Sequence, residues 1–546
     1  MDGGKQMRRF LSLALAIIMI FSLASCSDDG TGGSISYALD ASPSTLDPQY
    51  AGDTSAQIVI NNVFEGLVRV SENGEIIPGI AESWEISPDA LTYTFRLKQD
   101  TKWKCPNAIK KEFGEEFYNK FNVAPVTAYD FVFAMQRAVS PEINSSLAHR
   151  LFAIVNATEI YSGKLDASSL GVTAPDDYTL VINLREPCKD MLERLGEGVF
   201  MPCNEEFYNA MGGRYGLTYK HILCNGPFYI TAWDTESQLI VRKNSEYVRV
   251  DEVMPSSVVF SYISDLKEIV NKLEAQSLSA AFLPPDCKTP EGTAVTKENE
   301  NSVYGFIFNC SDSSLKNVNI RKALCSSINR SLFEFDSING TAQTGFVPKS
   351  CSAGSLNYRA AVGSQTPEIV YDGEAAKTLW QTGLSELGIS KVTLTVLCPE
   401  SLDSAVRRQL QIWQQVMGIS IAVTIENATA EEITKAVSGG NYQIALSGIE
   451  SEDESAVDFF ASLEGGGVFR FKSEEYGLII DRLLQVEDDS ELLGGCFTAE
   501  NFILQQGICY PLCSRSSRFV TSEEIEGIAF YGSESSVSFI GAKRYD

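Results

Sequence analysis

Residues 392–425 read as strand, helix, strand in that order, and this unit constrains the fold more than any other part of the chain. The run 392–397 is β-rich and Pro399 follows it; Leu402, Ala405, Val406, Leu410, Trp413 and Met417 then recur at helical spacing, and Gly418 fits the stop. Composition at 419–425 returns to β-formers. Such crossovers build parallel or mixed sheets with helices on both faces, so the chain is predicted to be α/β. A further strand, 442–449, leads through the acidic loop 450–455 into an apolar helix starting near Ala456. Ligands of these sheets collect at the carboxyl ends of strands, which makes the loop after Ile449 the leading candidate site. Elsewhere, LTYTFRL at 91–97 alternates as a half-buried strand, with Tyr93, Phe95 and Leu97 on one face.

At the N-terminus, Lys5, Arg8 and Arg9 precede an apolar run from 10 to 24, too short to span a bilayer comfortably. The segment 1–25 is read as a secretory signal. Leu23-Ala24-Ser25-Cys26 resembles the lipobox of bacterial lipoproteins, which implies lipid attachment at Cys26. Residues 26–34, rich in Asp, Gly and Ser, are then a tether. The roughly 520 residues that remain exceed one hydrophobic core, so two or three domains are expected. A net charge of −27 without a basic stripe excludes nucleic acid as a partner. Of the thirteen cysteines, twelve spread from Cys105 to Cys513 without CxxC pairs, and spacing leaves buried thiols and disulfides both open.

Five blocks occur in order: Leu46-Asp47-Pro48 with Asn62 to Leu67 (NVFEGL), AESWEISPDALTYTFRLKQDTKW at 81–103 continued by PVTAYDFVFAMQRAVSP at 125–141, NGPFYITAW at 225–233, RKNSEY at 242–247, and FNCSDSSLKNVNIRKALCSSINR at 308–330. Together they resemble the extracellular peptide-binding proteins of oligopeptide and dipeptide ABC importers, bacterial solute-binding family 5. Most of the quoted residues read as scaffold: Trp84, Phe95, Trp103 and Phe131 as core, Gly226-Pro227 as a turn. The resemblance implies a two-lobed fold of the periplasmic-binding-protein type, class II, with lobe I at 34–303 (subdomain about 68–185), lobe II at 304–511, and a return to lobe I at 512–546. Hinges are expected at 302–305 and 509–513. Lobe closure over a ligand is the expected mechanism, without cofactor or metal.

In relatives an aspartate of lobe II holds the peptide ammonium, and SGIESEDESAVDFF at 447–460 resembles that segment. Aligned on Gly448 and Phe459, the resemblance puts Glu452 at the aspartate, with Asp453 beside it. A carboxylate there suits a desolvated ammonium. The cleft-facing segment of lobe I resembles 51–54, where Gly52, Asp53 and Thr54 would lend backbone groups. Departures stand at Ile449, where relatives carry an aromatic, at Leu147, at Glu452, and in an insertion at 105–124 read as a surface helix. Arginines that clamp the carboxylate of short peptides are absent from 437–446. The expected partners are a peptide, ABC permease subunits and, through the anchor, the outer face of the membrane, with the chain a monomer. A rival reading, an exported hydrolase, has only His149 and His221 to work with and neither GxSxG nor HExxH. A surface receptor for a signalling peptide or another solute, such as a metal chelate, haem or a sugar, is the other alternative.

Overall fold

The strand–helix–strand unit forms as its pattern predicts. Val392–Cys398 and Ile421–Asn427 pair in parallel from Val392↔Ile421 to Cys398↔Asn427, and helix Asp403–Met417 crosses between them with Val406, Leu410, Trp413 and Met417 buried. Gly418 ends that helix at φ +67°, a left-handed conformation that glycine adopts without steric cost. This computed structural model describes residues 32–545 apart from 72–74, 189, 286, 336–339, 452–453, 464–466, 487 and 532–534. The expected signal segment, Cys26 and residues 27–31 of the tether lie outside the described residues. From Gly32, whose N–H donates to Met254 O at 2.9 Å, the chain belongs to the first folded body.

One eleven-stranded sheet runs through the molecule in the order 421–427, 392–398, 444–450, 293–308, 509–522, 280–283, 34–39, 257–262, 238–243, 228–234, with Gly340–Ala342 added against 509–522. Its middle is two long antiparallel strands, Thr293–Phe308 and Cys509–Ser522, which pass from one lobe to the other. Their register shifts between Asn299 and Ser302 and again between Tyr304 and Gly305. One core gathers residues 35–260 with Phe519 and 525–542. In the second lobe, strand alternation sends Phe306 and Phe308 to a core around Trp380 and Trp413, and Ile307 to another around Phe346, Tyr358 and Phe460. Both faces of the sheet are therefore covered, as a parallel-containing sheet requires. A separate four-stranded antiparallel sheet carries Thr92–Leu97, whose Tyr93, Phe95 and Leu97 are buried as the alternation predicts.

The insertion at 105–124 is a helix, Lys110–Phe121, and it is docked rather than free. Phe113, Phe117 and Phe121 stack along one side at 4.6 and 4.8 Å, and Phe121 meets Phe207 edge-on at 5.3 Å. Glu112 pairs with Arg214 and accepts from His221 Nε2 at 3.0 Å, while His221 Nδ1 meets Thr218 Oγ1 at 3.0 Å. His221 thereby fastens the inserted helix, and His149 Nδ1 bonds Ser146 O. Among the described residues none of the twelve cysteines is held in a disulfide. Burial pushes the Cys105, Cys203 and Cys224 thiols up to about 12, so they behave as small apolar core residues.

The blocks quoted above are joined by buried charge. Asp47 pairs with Arg137 at 2.5 Å, and Arg137 also donates to Gln49 Oε1 at 2.9 Å. Asp130, 5% exposed, accepts from Thr127 N at 2.7 Å and from Asn204 Nδ2 at 3.2 Å. Burial outweighs those bonds and pushes its carboxyl from 3.8 up to about 6. Between those values the native state holds a proton that the unfolded chain has lost, so this group makes stability fall as pH rises from about 4 to 6. Asp130→Asn is expected to remove roughly 2 to 3 kcal/mol of that pH-dependent loss. Urea unfolding measured from pH 4 to 7 on both chains checks this; parallel stability curves would refute it.

Candidate functional site

The residues singled out in the sequence divide between the lobes. In the first, Asp53 begins helix Thr54–Val63: its carboxylate accepts from Ala56 N at 2.8 Å and from Ser44 Oγ at 2.6 Å. That side chain is engaged by the helix start. Gly52 is exposed and lies against Ser146, whose Oγ would stand 3.1 Å from a Cβ at position 52.

In the second lobe, Gly448 lies in strand Ile444–Glu450 opposite Tyr304 of the crossing strand, and a Cβ there would come within 3.0 Å of Ser302 Oγ. Glu452 and Asp453 lie outside the described residues. The loop that carries them is fixed on both sides: Ser451 N–H donates to Asn301 O at 2.9 Å, and Glu454 O accepts from Ser352 N–H at 2.6 Å. Ser455 then caps helix Ala456–Ala461 by accepting from Asp458 N at 3.1 Å. Asp53 bonds Ser44 and Ala56 while Gly448 borders Ser302 and Tyr304, so the two groups hold separate positions, one on each lobe.

Sequence reasoning missed the segment of the first lobe that faces this loop. Glu193, in helix Met191–Arg194, has its carboxyl raised by burial first, then by Asp190, with Glu454 of the second lobe adding to the effect. Asp190 is paired with Arg194 at 2.6 Å. No periodicity or motif marks 186–194; only its approach to the acidic loop does.

Among the described residues, four of the buried polar atoms that lack a hydrogen-bond partner belong to the crossing strands or to segments bonded to them: Ser302 Oγ, Ser514 Oγ, Ser350 Oγ and Gln343 Oε1. Ser302 and Ser514 are in the crossing strands. Ser350 and Gln343 are tied to them through Ser350 N–H to Glu300 O and Gln343 N–H to Leu512 O, each 3.2 Å. Buried polar atoms are nearly always paired, so this level of the hinge is where water or a solute would complete the bonding.

Two lobes on one sheet, joined by paired crossing strands, are the architecture of a hinged binding protein. The chain belongs to the bacterial extracellular solute-binding proteins, family 5, whose profile matches residues 75–469. It is similar to the dipeptide-binding protein of Lactococcus lactis subsp. cremoris, at 27% identity over 488 residues covering 85% of this chain and 86% of that one. The oligopeptide-binding protein OppA of Bacillus subtilis is 24% identical over 556 residues, 96% of this chain and 97% of its own. Among solved structures, Listeria monocytogenes OppA bound to peptide matches with TM-score 0.70 at 22% identity, covering 94% of this chain and 99% of that one, a likeness of fold.

Proposed function

We propose that this chain is the solute-capturing component of an ABC importer: a non-catalytic, monomeric lipoprotein anchored through Cys26 at the outer face of the cell membrane, which takes up extracellular peptides and hands them to a permease. Dipeptide- and oligopeptide-binding relatives that match most of the chain support the peptide assignment. The observation that carries the reading is the group of buried polar atoms, unpartnered among the described residues, at the crossing strands beside the acidic loop. A peptide offers both missing partners. Its backbone amides complete hydrogen bonds to Gly52, Asp53, Thr54 and Gly448, and its ammonium meets Glu452 or Asp453.

The lobes in this reading are 34–303 with 512–546, and 304–511, hinged at 302–305 and 509–513. Glu454 of the second lobe helps to raise the Glu193 carboxyl of the first, and such repulsion across the lobes favours the open state until a cation lies between them. The ammonium of the ligand thus makes a contact available only on closure. Peptides with a free amine are expected to raise the thermal midpoint, and N-terminal acetylation to abolish the rise. Of Glu452→Gln and Asp453→Asn, tested separately, the one that removes the ammonium acceptor should weaken binding about 10- to 100-fold. If no member of a diverse peptide library shifts the midpoint, the peptide assignment is wrong.

A further inference from the structure

A cavity of about 950 Å³ is lined wholly by residues of the second lobe and does not lie between the lobes. It opens at the far end of the second lobe, where Cys310 follows the end of strand Thr293–Phe308. The acidic loop leaves the opposite end of the neighbouring strand Ile444–Glu450, about 20 Å away at the usual rise of an extended chain. The cavity is therefore separate from the hinge site.

Its lining inverts the charge of the molecule. On a chain of net charge −27, Lys316, Arg321, Arg470 and Lys472 face a single lining acid, Glu475. Glu386 stands near the rim, held by the amides of Asn317 and Asn319 at 2.9 Å each. Arg321 is 2% exposed, and among the described residues no carboxylate pairs with it. Its Nε and Nη2 donate to Gln506 O at 3.1 and 3.0 Å, and its Nη1 donates to Leu315 O at 2.7 Å and Lys316 O at 3.1 Å. Four of its five donors are thus used, all on neutral carbonyls. One N–H and the positive charge remain without an anion, in a place where burial already lowers the pKa of the group. A buried cation without a counter-ion is costly, and the carbonyl that ends helix Asp489–Gln505 offsets only part of that cost.

Two further features point the same way. Helices Val318–Ser326 and Glu474–Leu483 both start at the cavity wall, after Asn317 and Ser473, so their positive ends add to the field of the four cations. Phe471 and Phe502, 6.3 Å apart, give the same wall an apolar patch. We propose that this cavity binds a small organic oxyanion, a carboxylate or a phosphate ester, independently of the solute held between the lobes. Arg321 forms the fixed floor, the exposed ammonium groups of Lys316 and Lys472 close over the anion, and the two rings take its non-polar part.

Calorimetric titration of the mature chain with inorganic phosphate and with citrate, against sodium chloride of matched ionic strength, tests the site. Saturable binding at or below roughly 1 mM is expected for at least one of them, phosphate alone assigning tetrahedral oxyanions and citrate alone carboxylates. Lys316 and Lys472 are both exposed, so the double variant K316Q/K472Q is expected to fold, to bind the anion about tenfold more weakly, and to keep its affinity for inter-lobe peptide. Heats no different from chloride, or equal anion affinity in the double variant, would overturn the proposal.

Discussion

Replacing Glu500 with alanine is expected to destabilise the second lobe by about 3 to 5 kcal/mol and to weaken solute capture in the same step. Glu500 is fully buried in helix Asp489–Gln505. Its Oε1 accepts from Phe346 N at 2.6 Å and Val347 N at 3.1 Å, its Oε2 accepts from Tyr358 OH at 2.8 Å, and Arg359 pairs with it. Burial first, and Glu500 next, raise the Tyr358 phenol far above its ordinary range, so the hydroxyl is a donor at every working pH. Alanine would leave two buried amides, a phenol and a guanidinium without their acceptor. Glutamine keeps an acceptor for the amides and loses the charge opposite Arg359, and should fall between the two. The stretch from Phe346 to Arg359 also carries Ser352, whose N–H holds the acidic loop at Glu454 O, so loosening one end displaces the other. Urea unfolding and peptide affinity measured on the same preparations check both halves; a stability change under about 1 kcal/mol would show that the network is dispensable.

How much of this was legible in the sequence depends on the range of the interaction. The 392–425 unit and the alternation at 91–97 were readable because periodicity is local: each residue declares its face through its immediate neighbours. The inserted helix at 105–124 was readable as a helix, but its docking was not, since Phe207, Arg214 and His221 lie roughly a hundred positions downstream and nothing local announces them. Gly226 was read as a turn residue. Its N–H does bond Val63 O at 3.0 Å, yet a Cβ there would come within 2.6 Å of the Val63 carbonyl carbon, so close backbone approach explains the glycine better. The site was legible on one side only. The acidic loop follows a strand end, whereas Glu193 feels Glu454 only through the relative placement of two lobes, which no spacing encodes.

The family blocks themselves have a physical reason to recur together, and Glu65 gives the sharpest test of it. Its backbone exchanges hydrogen bonds with the Asn225 side chain at 3.1 and 2.9 Å, tying the block at 62–67 to the block at 225–233. Its carboxylate, 1% exposed, meets Tyr247 OH at 2.8 Å, Arg249 at 3.0 Å and Arg69 at 3.1 Å, which brings in the block at 242–247. Alanine at 65 would spare the backbone bonds and strip two arginines of their shared anion, at an expected cost of about 3 to 5 kcal/mol. If that cost is the uncompensated charge, Glu65→Leu combined with Arg249→Met should recover a large part of it, because apolar groups of similar volume can replace a buried pair at little loss. If it is lost packing, Glu65→Leu alone should recover as much as the double variant. Glu65 follows directly on helix Thr54–Val63, whose start carries Gly52, Asp53 and Thr54, so the single variant should also weaken peptide binding and the double variant should restore it. Stability recovered without affinity would mean that the carboxylate positions that helix as well as stabilising it.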